Sequence, residues 1–291
     1  MNPRVDLAFK KIFGVEENKP LLISLLNSIV STEDQVRDAE LLNPYNSQNF
    51  SEDKSSILDI KARGNNGRVF NIEMQVADET DYDSRILYYW SKLYSDQIGS
   101  GDTYSSLNKA IGIHILNFTS ICTKKYHNKF YITEESGIRH FDKFELHTIE
   151  LSKFSERIKD DDFDNLISKM KTKIDYWCAF LAKHDLLNKQ KNKLPVECND
   201  VKKALEVMNI MNYSKEERQA YEDKLQWLRI KASALDKRFN DGKQTGIKKG
   251  KKEGKKEAVK DVIMNMLSQG IGIDIISSVT NMPTNEILKL K

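Results

Sequence analysis

The pattern that most constrains this chain is a pair of short segments between Ile57 and Val76, in which apolar residues alternate with polar ones. Alternation at a period of two is typical of a β-strand with one buried face. The run from Gly64 to Gly67 between the segments predicts a turn. The two segments therefore predict a β-hairpin, with apolar positions at Leu58, Ile60, Phe70, Ile72, Met74 and Val76.

Three polar side chains interrupt the apolar pattern of this hairpin. Glu73 and Gln75 are two residues apart on the second strand, so they point to the same face, opposite to the apolar positions. Asp59 lies on the first strand, where the hairpin brings it towards them. Two carboxylates and an amide are oxygen ligands that suit Mg²⁺, with Mn²⁺ or Ca²⁺ as further options. The alternative is that all three are solvated positions on an exposed strand face.

These three residues resemble the motif of the PD-(D/E)XK nuclease superfamily. Asp59 matches the first acid and Glu73 matches the second. Gln75 stands where the superfamily usually has Lys, which would orient the attacking water and stabilise developing charge. Gln is neutral and can only form hydrogen bonds, and some branches of the superfamily carry Gln at this position.

Further segments share an order along the chain: Asp6–Phe13, Lys54–Asp59, Asn71–Gln75, Arg85–Tyr94, Gly101–Tyr104, Ala110–Phe118, Lys203–Glu206, Ser214–Arg218 and the glycines that begin at Gly242. This order is similar to that of the recombination-promoting nuclease (Rpn) or putative transposase family of bacteria, over essentially the whole chain. The resemblance implies a restriction-endonuclease-like mixed sheet, in the order helix, strand, strand, strand, helix and strand. It also implies a metal-dependent endonuclease that acts on DNA.

The composition is that of a globular protein without a disulfide framework. The chain has 291 residues, of which 39% are hydrophobic, enough for a sizeable core. Its three cysteines are odd in number and form no Cys-x-x-Cys pair, which favours a reducing cytoplasm. Because no apolar run reaches about 18 residues and the N-terminus has no apolar leader, we expect neither a membrane span nor a secretory signal.

Positive charge is concentrated near the C-terminus. In residues 237–260 the Lys and Arg residues exceed the acids by seven. The formal net charge of the whole chain is only +3, so the remainder carries −4. An acidic body is not the usual surface of a non-specific DNA binder, so we expect local patches, a metal and the basic segment to attract phosphate.

The first 150 residues predict a mixed α/β sheet with flanking helices. The predicted helices are residues 5–31, interrupted near Pro20, and residues 81–99. Besides the hairpin, the predicted strands are residues 39–44, 107–118, 129–133 and 145–151.

The period of the apolar residues changes to three or four after residue 154, which predicts helices. Phe163–Leu181 reads as one amphipathic helix with Asp161 as its N-cap, and residues 200–211 as another. The sequence from Ser214 to Glu217 predicts a capping box that begins a helix towards Phe239. Residues 1–238 are therefore predicted to form one nuclease-like domain with a helical second half.

A basic segment and a small module complete the chain. Glycines recur every four residues from Gly242 to Gly254, and each costs a helix about 1 kcal/mol relative to Ala. Residues 239–257 are thus predicted as a flexible linker; the alternative is a conditional helix whose glycines pack on a partner or whose lysines bind phosphates. Residues 258–291 predict a helical module that resembles a helix-turn-helix. Its last helix offers only Lys289 and Lys291 as basic groups, which favours homo-oligomerisation or protein binding over base reading.

The resemblance also implies roles for individual residues. Asp59 and Glu73 would hold the metal, the Met74 carbonyl would complete the ligand shell, and Gln75 would position the attacking water. Asp6 is an outer-shell candidate. Lys10, one helical turn later, is a candidate phosphate contact, and the alternative is that both form an i, i+4 surface pair.

Three further cations are candidate DNA contacts: Lys54, Lys61 and Arg85. Arg85 opens a helix rich in tyrosine, which would support a bound phosphate; the alternative is a solvated arginine beside core tyrosines. His114 lies in an apolar strand and is predicted to be a buried, hydrogen-bonded core residue. No Ser/His/Asp constellation or phosphate loop is apparent.

These observations favour a metal-dependent DNA endonuclease linked to recombination or mobile elements. The alternatives are a catalytically weak or inactive relative that binds DNA or assembles with proteins, and a DNA-binding regulator that uses the C-terminal module.

Overall fold

The structure, a computed structural model, describes residues 1–45, 59–78, 81–158, 162–211 and 213–290. The chain divides into two compact units, residues 1–228 and 229–291. The predicted domain boundaries at residues 238 and 257 stay predictions. Lys54 and Asp161 lie outside the described residues.

A six-stranded sheet forms the centre of the first unit. Its strands are β1 (Ala39–Leu41), β2 (Asp59–Gly64), β3 (Val69–Gln75), β4 (Ala110–Leu116), β5 (His127–Phe130) and β6 (Phe144–Glu150). They lie in the order β1-β2-β3-β4-β6-β5. β1, β2 and β3 are antiparallel, β3, β4 and β6 are parallel, and β5 returns antiparallel to β6.

Helices precede, interrupt and follow the strands along the chain. They are α1 (Asp6–Phe13), α2 (Lys19–Ile29), α3 (Tyr82–Ser95), α4 (Leu151–Glu156), α5 (Phe163–Lys169), α6 (Lys173–Lys189), α7 (Asn199–Ile210), α8 (Lys215–Ser268), α9 (Ile273–Thr280) and α10 (Thr284–Leu288). The mixed α/β fold and the order helix, strand, strand, strand, helix, strand are confirmed.

The sheet is covered on both faces. Phe70 and Ile72 of β3 belong to the main core, together with residues of α1, α2, α6 and α7. On the other face, α3 packs Tyr82, Ile86 and Leu93 in two smaller clusters with strand residues. The expectation of a half-exposed second hairpin strand is therefore wrong, because α3 also encloses its polar face: Glu73 is only 8% exposed.

The predicted single helix Phe163–Leu181 is two helices, α5 and α6. The break lies before Thr172, whose side chain accepts a hydrogen bond from the Asp175 backbone N–H while the Asp175 side chain accepts from Thr172. This capping box begins a new helix, which the apolar period alone did not reveal. The N-cap of α5 is Asp162, one residue after the predicted Asp161.

The helix α8 begins as predicted and ends much later. The Ser214 N–H donates to the Glu217 carboxylate at 2.8 Å, and the Glu217 N–H donates to the Ser214 hydroxyl at 3.2 Å, which confirms the capping box. Residues 239–257, predicted as a flexible linker, are helical throughout. The glycines lower helix propensity there, but Lys between them is a good helix former.

The end of α8 is also fixed by its local chemistry. Gly270 has a positive φ of 76°. Its N–H bonds to the Leu267 carbonyl, and the Ile271 N–H bonds to the Met266 carbonyl. This pair of bonds is the Schellman arrangement, which terminates a helix at a glycine.

The second unit has a small core of its own. Ile263, Ile276 and Ile287 are fully buried where the end of α8 meets α9 and α10. These helices lie in the stretch predicted to be a small module, and the bounds 258–291 of that module stay a prediction. Among the described residues no helix is long and apolar enough to cross a membrane. All three cysteines are free thiols.

Candidate active site

The antiparallel register of β2 and β3 brings the two predicted acids together. Asp59 and Glu73 are direct partners across the strand pair. Side chains of directly opposed residues point to the same face of a sheet. That face is the one covered by α3, so the pair lies between the sheet and this helix.

A cavity of about 500 Å³ opens over the acid pair. It collects side chains from β2, β3, α1, α3 and the start of α8. Predicted site residues that line it are Asp6, Asp59, Lys61, Glu73, Gln75 and Arg85, and residues that the sequence did not indicate are Asn43, Lys92, Lys224, Trp227 and Leu228.

Lys10 is an exception among the predicted phosphate contacts. It is 3% exposed and does not line the cavity. The reason is that α1 is enclosed on nearly all sides, with Lys11 as its one residue that is not buried. Enclosure of the helix also excludes the alternative of an exposed surface pair, because Asp6 is buried as well.

Glu73 is electrostatically strained by its position. Burial, followed by repulsion from Asp59, raises the pKa of Glu73 to about 7. A hydrogen bond from the Asn71 amide at 3.3 Å and the charges of Arg85 and Lys61 oppose this rise in pKa. A cation held between the carboxylates would remove the repulsion, because opposite charge favours the ionised form.

Asp59 is held by a residue outside the hairpin. The Asn43 amide donates to the Asp59 carbonyl oxygen at 3.2 Å and to its Oδ1 at 3.4 Å. The Asn43 side-chain oxygen accepts from the Lys61 N–H at 2.7 Å. Asn43 therefore fixes the start of β2. No motif marked it, since the sequence shows it only as the residue before Pro44.

The donor set fits a hard divalent cation. Within the described residues no group of three or more His, Cys, Asp or Glu side chains could hold a metal. Two carboxylates without such a group are too few for a structural zinc site. They suit Mg²⁺, which is usually bound through one or two carboxylates while it keeps waters and takes substrate phosphates.

One wall of the cavity comes from the first turns of α8. Lys224 Nζ lies 2.8 Å from Asp6 Oδ2 and 4.9 Å from the centre of the Trp227 ring. Burial raises the pKa of Asp6, and Lys224 opposes the rise. The sequence could not reveal this wall, because Lys224 and Asp6 are more than 200 residues apart and no local pattern links them.

The start of α8 is anchored beside α1. Glu217 accepts from Lys11 Nζ at 2.7 Å and also from the Tyr45 hydroxyl. The Tyr221 hydroxyl accepts from the Asn2 N–H at 2.7 Å. With the Lys224 pair, these contacts follow one another along the first three turns of the helix and hold the wall in place.

Another wall is formed by α3. Arg85, Tyr88, Tyr89 and Lys92 line the cavity from this helix. Tyr88 is 60% exposed, so the alternative in which these tyrosines are core positions is wrong for Tyr88. The helix presents cationic and phenolic groups next to the acid pair, which is a suitable surface for phosphate.

His114 lies on β4 directly beside Glu73. Its burial is confirmed, but within the described residues its Nδ1 has no hydrogen-bond partner. Nδ1 is 3.6 Å from Glu73 Oε2. Burial, with a smaller contribution from Arg85, lowers the pKa of His114 to about 3, so the ring is neutral near pH 7.

The sheet and its acid pair define an α/β protein of the restriction-endonuclease-like class. The family described as PD-(D/E)XK nuclease family transposase matches residues 3–238. The chain belongs to this family, as its motifs indicated, and the family supports a nuclease-like function. Comparisons with curated proteins and with solved structures found no match.

Proposed function

We propose that this protein is a metal-dependent endonuclease that hydrolyses DNA phosphodiester bonds, in the setting of recombination or mobile elements in the cytoplasm. The observation that carries the proposal is the opposition of Asp59 and Glu73 across β2 and β3, inside a cavity that also contains Lys61, Arg85 and Lys92. Strained acids with nearby cations in a cleft are typical of functional sites.

Each group has a distinct role in this proposal. Asp59 and Glu73 hold the ion, with the Met74 carbonyl as a further ligand, and Arg85 and Lys61 attract the phosphate. When bound, Mg²⁺ supplies charge neutralisation at the phosphate and a water of lowered pKa. Gln75 orients the attacking water, which its side-chain oxygen does by accepting a hydrogen bond.

Cleavage of supercoiled plasmid tests this proposal. We expect nicking by the full chain with Mg²⁺ or Mn²⁺ and none with EDTA. D59N and E73Q preserve the shape of each side chain and remove its charge. Each substitution is expected to lower the cleavage rate more than about 100-fold. This is a larger loss than removal of a residue that only supports a metal ligand usually causes. D83N is the matched control, since Asp83 is an exposed acid on α3 outside the cavity. Equal rates in E73Q and D83N would contradict the proposal, and an RNA substrate run in parallel tests the choice of DNA.

One observation favours a second candidate function, a catalytically weak relative that binds DNA or assembles with proteins. The Gln75 amide donates to the Ala77 carbonyl at 2.9 Å, and Gln lacks the charge of the usual Lys. Retained DNA binding without cleavage in any metal would favour this alternative. A Q75K variant that then cleaves would identify the missing lysine as the cause.

A further inference from the structure

The second unit carries a face of α8 that the proposed active site does not use. Seven lysines lie between residues 248 and 260, and all are exposed: Lys248, Lys249, Lys251, Lys252, Lys255, Lys256 and Lys260. At 3.6 residues per turn they fall on one half of the helix circumference. Gly250, Gly254, Glu253 and Glu257 fall on the other half. The seven lysines are called the lysine face below.

In the part of the chain that the structure describes, the lysine face forms no ion pairs. Lys248, Lys252, Lys256 and Lys260 form a row at i, i+4 spacing, where like charges repel. A polyanion that neutralised this row would remove the repulsion.

The residues next to the lysine face indicate which kind of polyanion it binds. A helix that binds a membrane surface needs an apolar face opposite its lysines, but this helix has glycines and acids there. Single-stranded nucleic acid is bound by stacking on aromatic rings, and residues 240–260 contain none. Duplex DNA needs only cations along its backbone.

The dimensions of the lysine face also suit a duplex. From Lys248 to Lys260 the helix rises about 18 Å. This length corresponds to about five base pairs at 3.4 Å each. The face has no Arg, Asn or Gln to read base edges, so its contacts carry no sequence information.

We infer that the lysine face binds the phosphate backbone of duplex DNA without sequence preference. It supplies the electrostatic affinity that the rest of the chain lacks, because that remainder carries net negative charge. The inference concerns binding alone and does not rest on cleavage.

The salt dependence of DNA binding tests this inference. The full chain is titrated in EDTA against a labelled 30-base-pair duplex by fluorescence anisotropy, over a series of NaCl concentrations. The test variant is K248Q/K252Q/K256Q/K260Q, which keeps good helix formers in place. We expect its slope of log K against log salt to be smaller in magnitude by about 2 to 4, since each phosphate contact contributes about 0.9.

A matched control separates the lysine face from net charge. K124Q/K125Q/K143Q/K171Q removes four exposed lysines of the first unit, and its slope is expected to change by less than about 1. Equal slopes for wild type and the test variant would overturn the inference, as would an equal loss in the control. Far-UV circular dichroism checks that α8 remains helical in the test variant.

Two further experiments distinguish DNA binding by the lysine face from membrane binding and from the proposed nuclease activity. Binding to vesicles that contain phosphatidylserine, lost in the test variant while DNA binding persists, would overturn it in favour of a membrane. If wild type fails to cleave plasmid in any metal but the test variant still shows the reduced salt slope, the proposed nuclease activity fails and the binding role of the lysine face is supported.

Discussion

Two pairs of acids in the first unit differ in how their charge is balanced: Asp34 and Glu145, which are both buried, and Asp59 and Glu73, of which only Glu73 is buried. Asp34 and Glu145 share Lys109, whose Nζ lies 2.6 Å from an oxygen of each. Arg68 also pairs with Asp34, and His147 Nε2 lies 2.7 Å from Glu145 Oε1. Among the ion pairs of the described residues, Asp59 has only Lys61, at 4.0 Å, and Glu73 lies 3.6 Å from His114, whose ring is neutral near pH 7.

The pKa directions follow from this difference. Burial alone would raise the pKa of Asp34, but hydrogen bonds from Lys109, Ser31 and Arg68 hold that pKa below its ordinary value. For Glu73, the effects of burial and of repulsion from Asp59 exceed the opposing effects of Asn71, Arg85 and Lys61, so the pKa of Glu73 is raised. Asp34 and Glu145, called the balanced pair below, therefore stabilise the fold. Asp59 and Glu73, called the unbalanced pair, repel each other, and a bound cation can relieve this repulsion.

The largest effect on stability is expected from breaking the balanced pair. D34N leaves Arg68 and part of the Lys109 charge without a partner, and such a loss costs on the order of 3 kcal/mol. This corresponds to a fall in Tm of about 6–12 °C for a domain of this size. Thermal unfolding of D34N beside wild type measures it. A Tm within 1 °C of wild type would show that the pair is not a stabilising contact.

Metal addition is expected to act on the unbalanced pair alone. A ligand present at about 100 times its Kd stabilises the folded state by about 2.7 kcal/mol. Mg²⁺ should therefore raise the Tm of wild type and of D34N by similar amounts, and should leave D59N and E73Q unchanged. A Mg²⁺-dependent rise in Tm for E73Q as large as for wild type would place the ion elsewhere.

The pH dependence of stability should have opposite sign at the two pairs. The raised pKa of Glu73 means that its protonated form is favoured in the folded state, so its contribution is present below about pH 4.5 and lost as pH rises through about 7. E73Q mimics the protonated form. Without metal it should exceed wild type in stability at pH 8, by on the order of 2 kcal/mol.

The same comparison at low pH completes the test. At pH 5 the advantage of E73Q should be several-fold smaller than at pH 8. The deficit of D34N should stay the same between pH 8 and pH 5, since the lowered pKa of Asp34 gives stability that is fully present above the ordinary value of 3.8 and is lost only at lower pH. Urea unfolding at both pH values measures these differences, and a constant gap for E73Q would contradict the electrostatic account.

The smallest effect on stability is expected at the ion pair between Lys224 and Asp6. Lys224 is about one-third exposed, and partly solvated pairs contribute about 1 kcal/mol or less. K224Q should therefore lower Tm by no more than about 4 °C. K109Q, at the balanced pair, should lower it clearly more. Equal losses in the two variants would remove the contrast between the cavity wall and the balanced pair.

Local patterns predicted much of this fold. The hairpin, the buried strand β4 and the helix start at Ser214 each rest on residues close in sequence, and the structure confirms them. The break between α5 and α6 was missed because Thr172 and Asp175 interrupt an apolar period that otherwise continues. The length of α8 was missed because glycine propensity was given more weight than the lysines between the glycines.

The residues of the candidate site also fall into two groups, those that could be predicted from the sequence and those that could not. Asp59 and Glu73 could be found from the sequence, because a hairpin register relates residues that are near in the chain. Asn43, Lys92, Lys224 and Trp227 could not, since they reach the cavity through the packing of separate elements. Lys10 was predicted to contact phosphate, but it is buried outside the cavity. Helical spacing indicates the direction of a side chain, and it does not show which other elements pack over that side chain.

What the sequence determined by itself was the opposition of two acids on a hairpin, since alternation and a turn fix which side chains face each other. Only the tertiary structure decided that this face is buried, because α3 and the start of α8 close over it from distant parts of the chain. That closure raises the pKa of Glu73 and surrounds the acids with cations. A pair of acids that would be solvated on an open strand thereby becomes a candidate metal site.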